Sequence, residues 1–130
     1  MIGYVTLGTN DIDKARNFYD QVLAEIGLSQ MMKMDDDRGF TMYGDGKPVL
    51  AITRPHDGKP ASVGNGSMLA LSLDSQEKVD RVHARALALG GADEGAPGFR
   101  PQGATSGFYG AYFRDPDGNK ICAYNYNFGG

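Results

Sequence analysis

Cysteine is almost missing from this chain: Cys122 stands alone among 130 residues, so no internal disulfide can form. A lone thiol fits a reducing compartment, and the expected location is the cytoplasm. Histidine is scarce too, with only His56 and His83. No apolar run approaches the roughly 20 residues that a membrane helix needs. Residues 1–8 read as a strand, with none of the basic-then-apolar order of an export signal. Nor is there an excess of basic residues: 13 Lys and Arg stand against 16 Asp and Glu, for a net charge of −3 and a pI near 5.2. With no basic cluster, neither nucleic acid nor an anionic membrane is an expected partner.

Glycine, in contrast, is abundant at 19 residues, beside 41% hydrophobic and 22% charged residues. That composition is globular and turn-rich, and favours short strands over a helical bundle. The length suits one domain with a core of its own.

The chain repeats itself. Laying Tyr4 on Met68, an offset of 64, brings residues 4–8 onto 68–72, Asn10 onto Asp74 and Gly27 onto Gly91. Asn10 and Asp74 are placed to cap helices, and Gly27 and Gly91 to end them. In the first half Ile12, Ala15, Phe18, Tyr19, Val22 and Ile26 recur at helical spacing, predicting a helix over 11–26. In the second, Val79, Val82, Ala86 and Leu89 predict a helix over 75–89, with Asp74 and Glu77 in the pattern of a capping box. Strand-like segments follow at 29–34, 40–43 and 49–53, and again at 92–96, 109–114 and 120–126. Asp45-Gly46 and Asp115-Pro116-Asp117-Gly118 mark turns. Each half therefore reads β-α-β-β-β: a first module at 1–54, a linker at 55–66 and a second module at 67–130, within one domain spanning 1–130.

Strand alternation gives the repeat a direction. Val5 and Leu7, like Leu69, Leu71 and Leu73, should lie under the helices. Tyr4 and Thr6, like Met68, Ala70 and Ser72, then line the opposite face, which suits a small-molecule site.

The opening segment around Asn10-Asp11-Ile12 and Phe18-Tyr19, with Phe113-Arg114-Asp115-Pro116-Asp117-Gly118-Asn119-Lys120 near the end, resembles the vicinal oxygen chelate superfamily of glyoxalases, bleomycin-resistance proteins and dioxygenases. The resemblance covers nearly the whole chain. It implies an α+β fold in which two β-α-β-β-β modules pair into a cup-shaped mixed sheet, and a homodimer that completes the cup. Metal-dependent members carry His or carboxylate ligands early in each first strand and in each last strand. Carried over, those positions are Tyr4, Met68, Ala51 and Cys122, and none is His, Asp or Glu. A catalytic zinc ordinarily needs three protein ligands, and iron oxygenases use His with carboxylate, so no metal and no cofactor are expected.

The resemblance then points to metal-free binding of a small organic molecule in the cup, as in the bleomycin-resistance branch. The alternative is a glyoxalase-type lyase or isomerase, or a dioxygenase-related enzyme, using a non-standard site. No catalytic residue is assigned. The candidate ligand-binding residues are Tyr4, Thr6, Met42, Met68, Arg100, Phe108, Tyr109, Cys122 and Tyr124. Similar proteins cover the pocket with the region corresponding to 97–109. There Arg100 offers a fork of donors to a carboxylate or phosphate, unless Asp93 or Glu94 pairs with it. Phe108 and Tyr109 offer rings for stacking. Cys122 reads as a small buried hydrophobe more readily than as a nucleophile. His83 reads as helix packing, His56 as a loop residue, and Asp35-Asp36-Asp37 as a solvated hairpin tip, since it lacks the spacing of a calcium loop.

Overall fold

Two strand–helix–three-strand units follow one another in the computed structural model, which describes residues 1–129. The first comprises β1 (Val5–Gly8), α1 (Ile12–Ala24), β2 (Ser29–Lys33), β3 (Thr41–Asp45) and β4 (Lys47–Thr53). The second comprises β5 (Leu69–Ser72), α2 (Gln76–Ala88), β6 (Ala92–Arg100), β7 (Phe108–Arg114) and β8 (Lys120–Asn125). Each unit forms its own four-stranded sheet, in the orders β1-β4-β3-β2 and β5-β8-β7-β6. The first and last strands of each unit pair in parallel and the remaining pairs are antiparallel, so both sheets are mixed. This is the expected α+β architecture.

The internal repeat holds at the level of hydrogen-bond register. Thr6 pairs with Ala51, and its equivalent Ala70 pairs with Cys122. The helix caps are equivalent as well, but each lies one residue later than expected. Asp11 and Ser75, not Asn10 and Asp74, accept the hydrogen bonds from Lys14 N and Lys78 N. Asp74 instead ion-pairs with Lys78 at 3.0 Å, so the expected capping box is not the one formed. Asn10 is used as a staple. Its side chain exchanges two hydrogen bonds with the backbone of Ala61 in the connecting segment, and its N–H donates to Asp117 Oδ1.

Each helix buries its apolar stripe on one face of its own sheet. Ile12, Ala15, Phe18, Tyr19, Val22 and Leu23 of α1 meet Tyr43, Leu50 and Ile52, while Val79, Val82 and Ala86 of α2 meet Ala111, Phe113, Ile121 and Ala123. The stripes are continuous with each other, because α1 also packs on α2 and the Phe18 and Phe113 rings lie 6.3 Å apart. His83 packs on the flank of α2, 6% exposed, with Nε2 3.0 Å from Asp93 Oδ1.

The β7–β8 turn locks the two units together. Asp115 is buried there, and its carboxylate accepts four hydrogen bonds: from Tyr19 Oη at 2.6 Å, and from Asn119 Nδ2, Asp117 N and Asn119 N at 2.9 Å each. Asn119 Nδ2 also donates to Gly8 O at the end of β1. Burial pushes the Asp115 carboxyl above the ordinary carboxylate range, outweighing the donors that favour its charged form. Burial, and then the neighbouring carboxylate, raise the Tyr19 phenol.

Candidate functional site

The helices cover one face of each sheet and leave the other open. Alternation assigns the open faces: Tyr4, Thr6, Met32, Met42 and Ala51 in the first sheet, and Met68, Ala70, Tyr112, Cys122 and Tyr124 in the second. A shallow groove between the edge strands β1 and β5 is lined by Thr6, Met68 and Lys120, with Val63 of the connecting segment on its wall. Tyr4 and Met68 are 45% and 47% exposed, and the Tyr4 ring stands edge-on to Phe40 at 6.3 Å.

Tyr4, Ala51, Met68 and Cys122, the positions that the sequence resemblance aligns with metal ligands, fall on these open faces, but their chemistry does not suit a metal. Ala51 offers a buried methyl group. Burial keeps the Cys122 thiol above its ordinary value, against the opposing effects of Tyr112, Arg100 and Lys120, so the thiol rather than the thiolate is favoured. A phenol at Tyr4 and a thioether at Met68 complete a set without an imidazole or a carboxylate. Among the described residues, no three His, Cys, Asp or Glu side chains gather as a metal centre.

The richer chemistry lies on the open face of the second sheet. Phe108 of β7 folds back over Gly110 and stacks on Tyr124 of β8, with centroids 5.1 Å apart and planes 14° apart. A Cβ on Gly110 would lie 2.6 Å from the Phe108 ring, so this glycine is what makes room for the stack. Further along the same face, Tyr112 covers Cys122, which is 1% exposed. Arg100 from β6 and Lys120 from β8 approach the Tyr112 ring from the neighbouring strands on either side, at 5.6 and 5.7 Å from its centroid. Burial raises the Tyr112 phenol, partly offset by the Arg100 charge.

Several sequence expectations need correction. Tyr109 is not on the open face. It shares the helix side with Ala111 and Phe113, and its hydroxyl donates to Asp80 Oδ1 of α2 at 2.6 Å, a bond that raises its pKa. Residues 97–100 do not form a cover over a pocket; they are the end of β6, with Phe99 paired to Tyr109 and Arg100 to Phe108. Cys122 reaches the open face in register but is sealed from it, so it cannot touch a ligand while Tyr112 stays in place. Arg100 pairs with neither Asp93 nor Glu94: the former meets His83 and the latter Arg114. Thr6 and Met68 line the β1–β5 groove and Tyr4 directly precedes β1, Met42 lies on β3 with β4 between it and β1, and Arg100, Phe108 and Tyr124 gather on the second sheet. Lys120 was missed, although period-two alternation back from Cys122 and Tyr124 places it on the same face.

A sequence profile of the Glyoxalase/Bleomycin resistance protein/Dioxygenase superfamily matches residues 1–123, and the chain belongs to that superfamily. The crystal structure of a glyoxalase/bleomycin resistance protein from Albidiferax ferrireducens T118 is 37% identical, with a TM-score of 0.83 over 98% of this chain and 99% of that one. A lactoylglutathione lyase from Agrobacterium tumefaciens is 25% identical, with a TM-score of 0.66 over 96% of this chain and 92% of that one. A glyoxalase/bleomycin resistance protein/dioxygenase family enzyme from Burkholderia phytofirmans PsJN shares the fold at 22% identity, with a TM-score of 0.71 over 96% and 98% of the two chains. No curated protein sequence matches significantly.

Proposed function

We propose that this protein binds a small organic molecule on the open faces of its sheets and holds no metal ion to do so. The observation that carries the reading is the donor set at the four inherited positions. A phenol, a buried methyl, a thioether and a buried neutral thiol stand where a chelating site would need imidazoles and carboxylates. Rings and methionines beside those positions offer the adaptable apolar contact that organic ligands use.

A homodimer is part of the proposal. Tyr4, Met32 and Met34 of the first sheet remain 43–45% exposed on the chain alone, and a second copy covering this face would turn two open sheets into an enclosed cup. The working location is the cytoplasm; no described helix is long and apolar enough to cross a membrane.

The enzymatic alternative, a glyoxalase-type lyase or isomerase or a dioxygenase-related activity, draws support from the 25% identity to the Agrobacterium lactoylglutathione lyase. It would need to stabilise an enolate from this chain's own groups. Tyr109 cannot serve, since its hydroxyl is committed to Asp80 on the far side of the sheet.

Thermal-shift screening in the presence of EDTA, against a panel of aromatic acids, amides and amines, tests the binding reading. A saturable rise in Tm with at least one class supports it. Stabilisation that appears only on adding a divalent metal would overturn it.

A further inference from the structure

The second sheet carries two cations that the fold does not neutralise. Of its three open-face basic residues, Arg114 is spoken for: it ion-pairs with Glu94 and donates to Gly118 O. Among the described residues, neither Arg100 nor Lys120 has a carboxylate partner. Arg100 donates to the backbone carbonyls of Phe99 and Ala96, and both Arg100 and Lys120 lie against the Tyr112 ring. The chain has a net charge of −3, so acids to neutralise them are not in short supply. Both side chains are only partly exposed, which weakens solvent screening of their charge.

The position of Arg100 is built by the backbone beneath it. Its guanidinium lies back along β6 over two glycines, and a Cβ on Gly95 or Gly98 would come within 3.3 and 3.2 Å of its terminal nitrogens. The pose is further fixed by the 2.7 Å bond from Nη2 to Ala96 O. An arginine laid down this way, with donors unused by any carboxylate, is preorganised for an anion. Beside it lies the Phe108–Tyr124 stack. Tyr124 is two residues from Cys122 on β8, and same-face neighbours on a strand are about 7 Å apart. Both cations flank the Tyr112 ring, and Tyr112 pairs with Cys122, so the ring they flank stands about one same-face step, about 7 Å, from Tyr124.

We infer that the open face of the second sheet is a subsite for an aromatic carboxylate, with Arg100 and Lys120 receiving the carboxylate and Phe108 and Tyr124 the ring. The inference rests on the small-molecule reading above and narrows it to one ligand class. A cationic ligand is disfavoured here, because both approaching charges are positive. The binding is non-covalent and needs no metal.

Ligand-detected NMR titrations with 2-naphthoate, 2-naphthamide and 2-naphthylmethylamine test this, on wild type and on a variant carrying both Arg100→Gln and Lys120→Gln. Wild type is expected to hold naphthoate at least about tenfold more tightly than naphthamide, the worth of roughly one charge-assisted hydrogen bond. The double variant should lose that margin while keeping its affinity for naphthamide, which also shows that it has folded. Phe108→Ala should weaken naphthoate and naphthamide alike. Equal wild-type affinity for acid and amide, or a preference for the amine, would overturn the anion subsite and leave the small-molecule reading standing. A naphthoate margin that survives in the double variant would place the anion elsewhere and overturn the assignment. Failure of all three probes to bind wild type would overturn the subsite, and failure of the wider thermal-shift panel as well would bring down the small-molecule reading with it.

Discussion

Replacing Tyr19 with Phe removes one hydroxyl and leaves its ring in place against Phe18, 5.0 Å away, and Tyr43, 6.3 Å away. The hydroxyl donates to Asp115 Oδ2 across the junction between the two units, from α1 to the β7–β8 turn. Asp115 keeps its three other donors in the variant, so the carboxylate is weakened rather than orphaned. A hydrogen bond to a charged group is worth about 1.5–3 kcal/mol, and about 2 kcal/mol is the expected loss. With an unfolding entropy of about 2.1 cal/mol/K per residue, a chain of 130 residues should lose about 7 °C in Tm. Differential scanning calorimetry at pH 7 reads this directly, and the fold should survive, since the variant exposes no new surface. A Tm within about 1 °C of wild type would refute the idea that this bond fastens the two units together. Loss of cooperative unfolding would mean that the bond carries far more than its own energy.

Alkaline pH should erode stability through two buried phenols. Burial, then neighbouring Asp115 for Tyr19 and Asp20 for Tyr43, raise both folded-state values above the ordinary 10. Their contribution is therefore complete below about pH 10 and is lost as pH rises toward the folded values, at up to about 1.4 kcal/mol per pH unit for each group. Urea titrations between pH 9 and 11 should show the decline, and Tyr43→Phe should flatten it by one phenol's share; a flat wild-type profile would refute the burial argument. Gly110→Ala should push Phe108 off Tyr124, because the added carbon meets the ring at 2.6 Å. The expected readouts are an altered near-ultraviolet circular dichroism spectrum and about 1–3 kcal/mol of lost stability. Cys122, sealed under Tyr112 with its thiol kept neutral, should react with a disulfide reagent at pH 7.5 only slowly until the protein is unfolded; immediate labelling of native protein would show that the open face is looser than described.

The fold was readable because the repeat was written in signals with direct physical meaning. The buried stripes of α1 and α2 and the alternation of β1 and β5 each fix a face, and the common offset puts them in the same order twice. The sites were harder to read, for reasons that particular residues make plain. Pro97 and Gly98 read as the start of a covering loop, yet β6 runs through them as an edge strand, where a proline deprives no inner neighbour of its ladder. The pairing of β7 with β8 fixes its phase, which sends Tyr109 to the helix side with Ala111 and Phe108 to the open one with Tyr112. The first cap fell one residue from expectation with Asn10 drawn to the connecting segment, a tertiary contact that no local pattern shows, and the second with Asp74 ion-paired to Lys78. Asp115 looked like an ordinary turn residue, and its burial depends on Tyr19, 96 positions away in the chain. Arg100 could not be recognised as free of both acids while Asp93 and Glu94 were possible partners, and the structure gives Asp93 to His83 and Glu94 to Arg114.

The central claim, organic ligand binding without a metal, is met most directly by elemental analysis coupled to native mass spectrometry on protein purified without chelator. The account predicts no stoichiometric metal and a retained organic mass that dissociates on activation in the gas phase. One equivalent of nickel, zinc, manganese or iron per chain, lost when Cys122 is replaced by Ala, would contradict it and establish a ligand set that includes the thiolate.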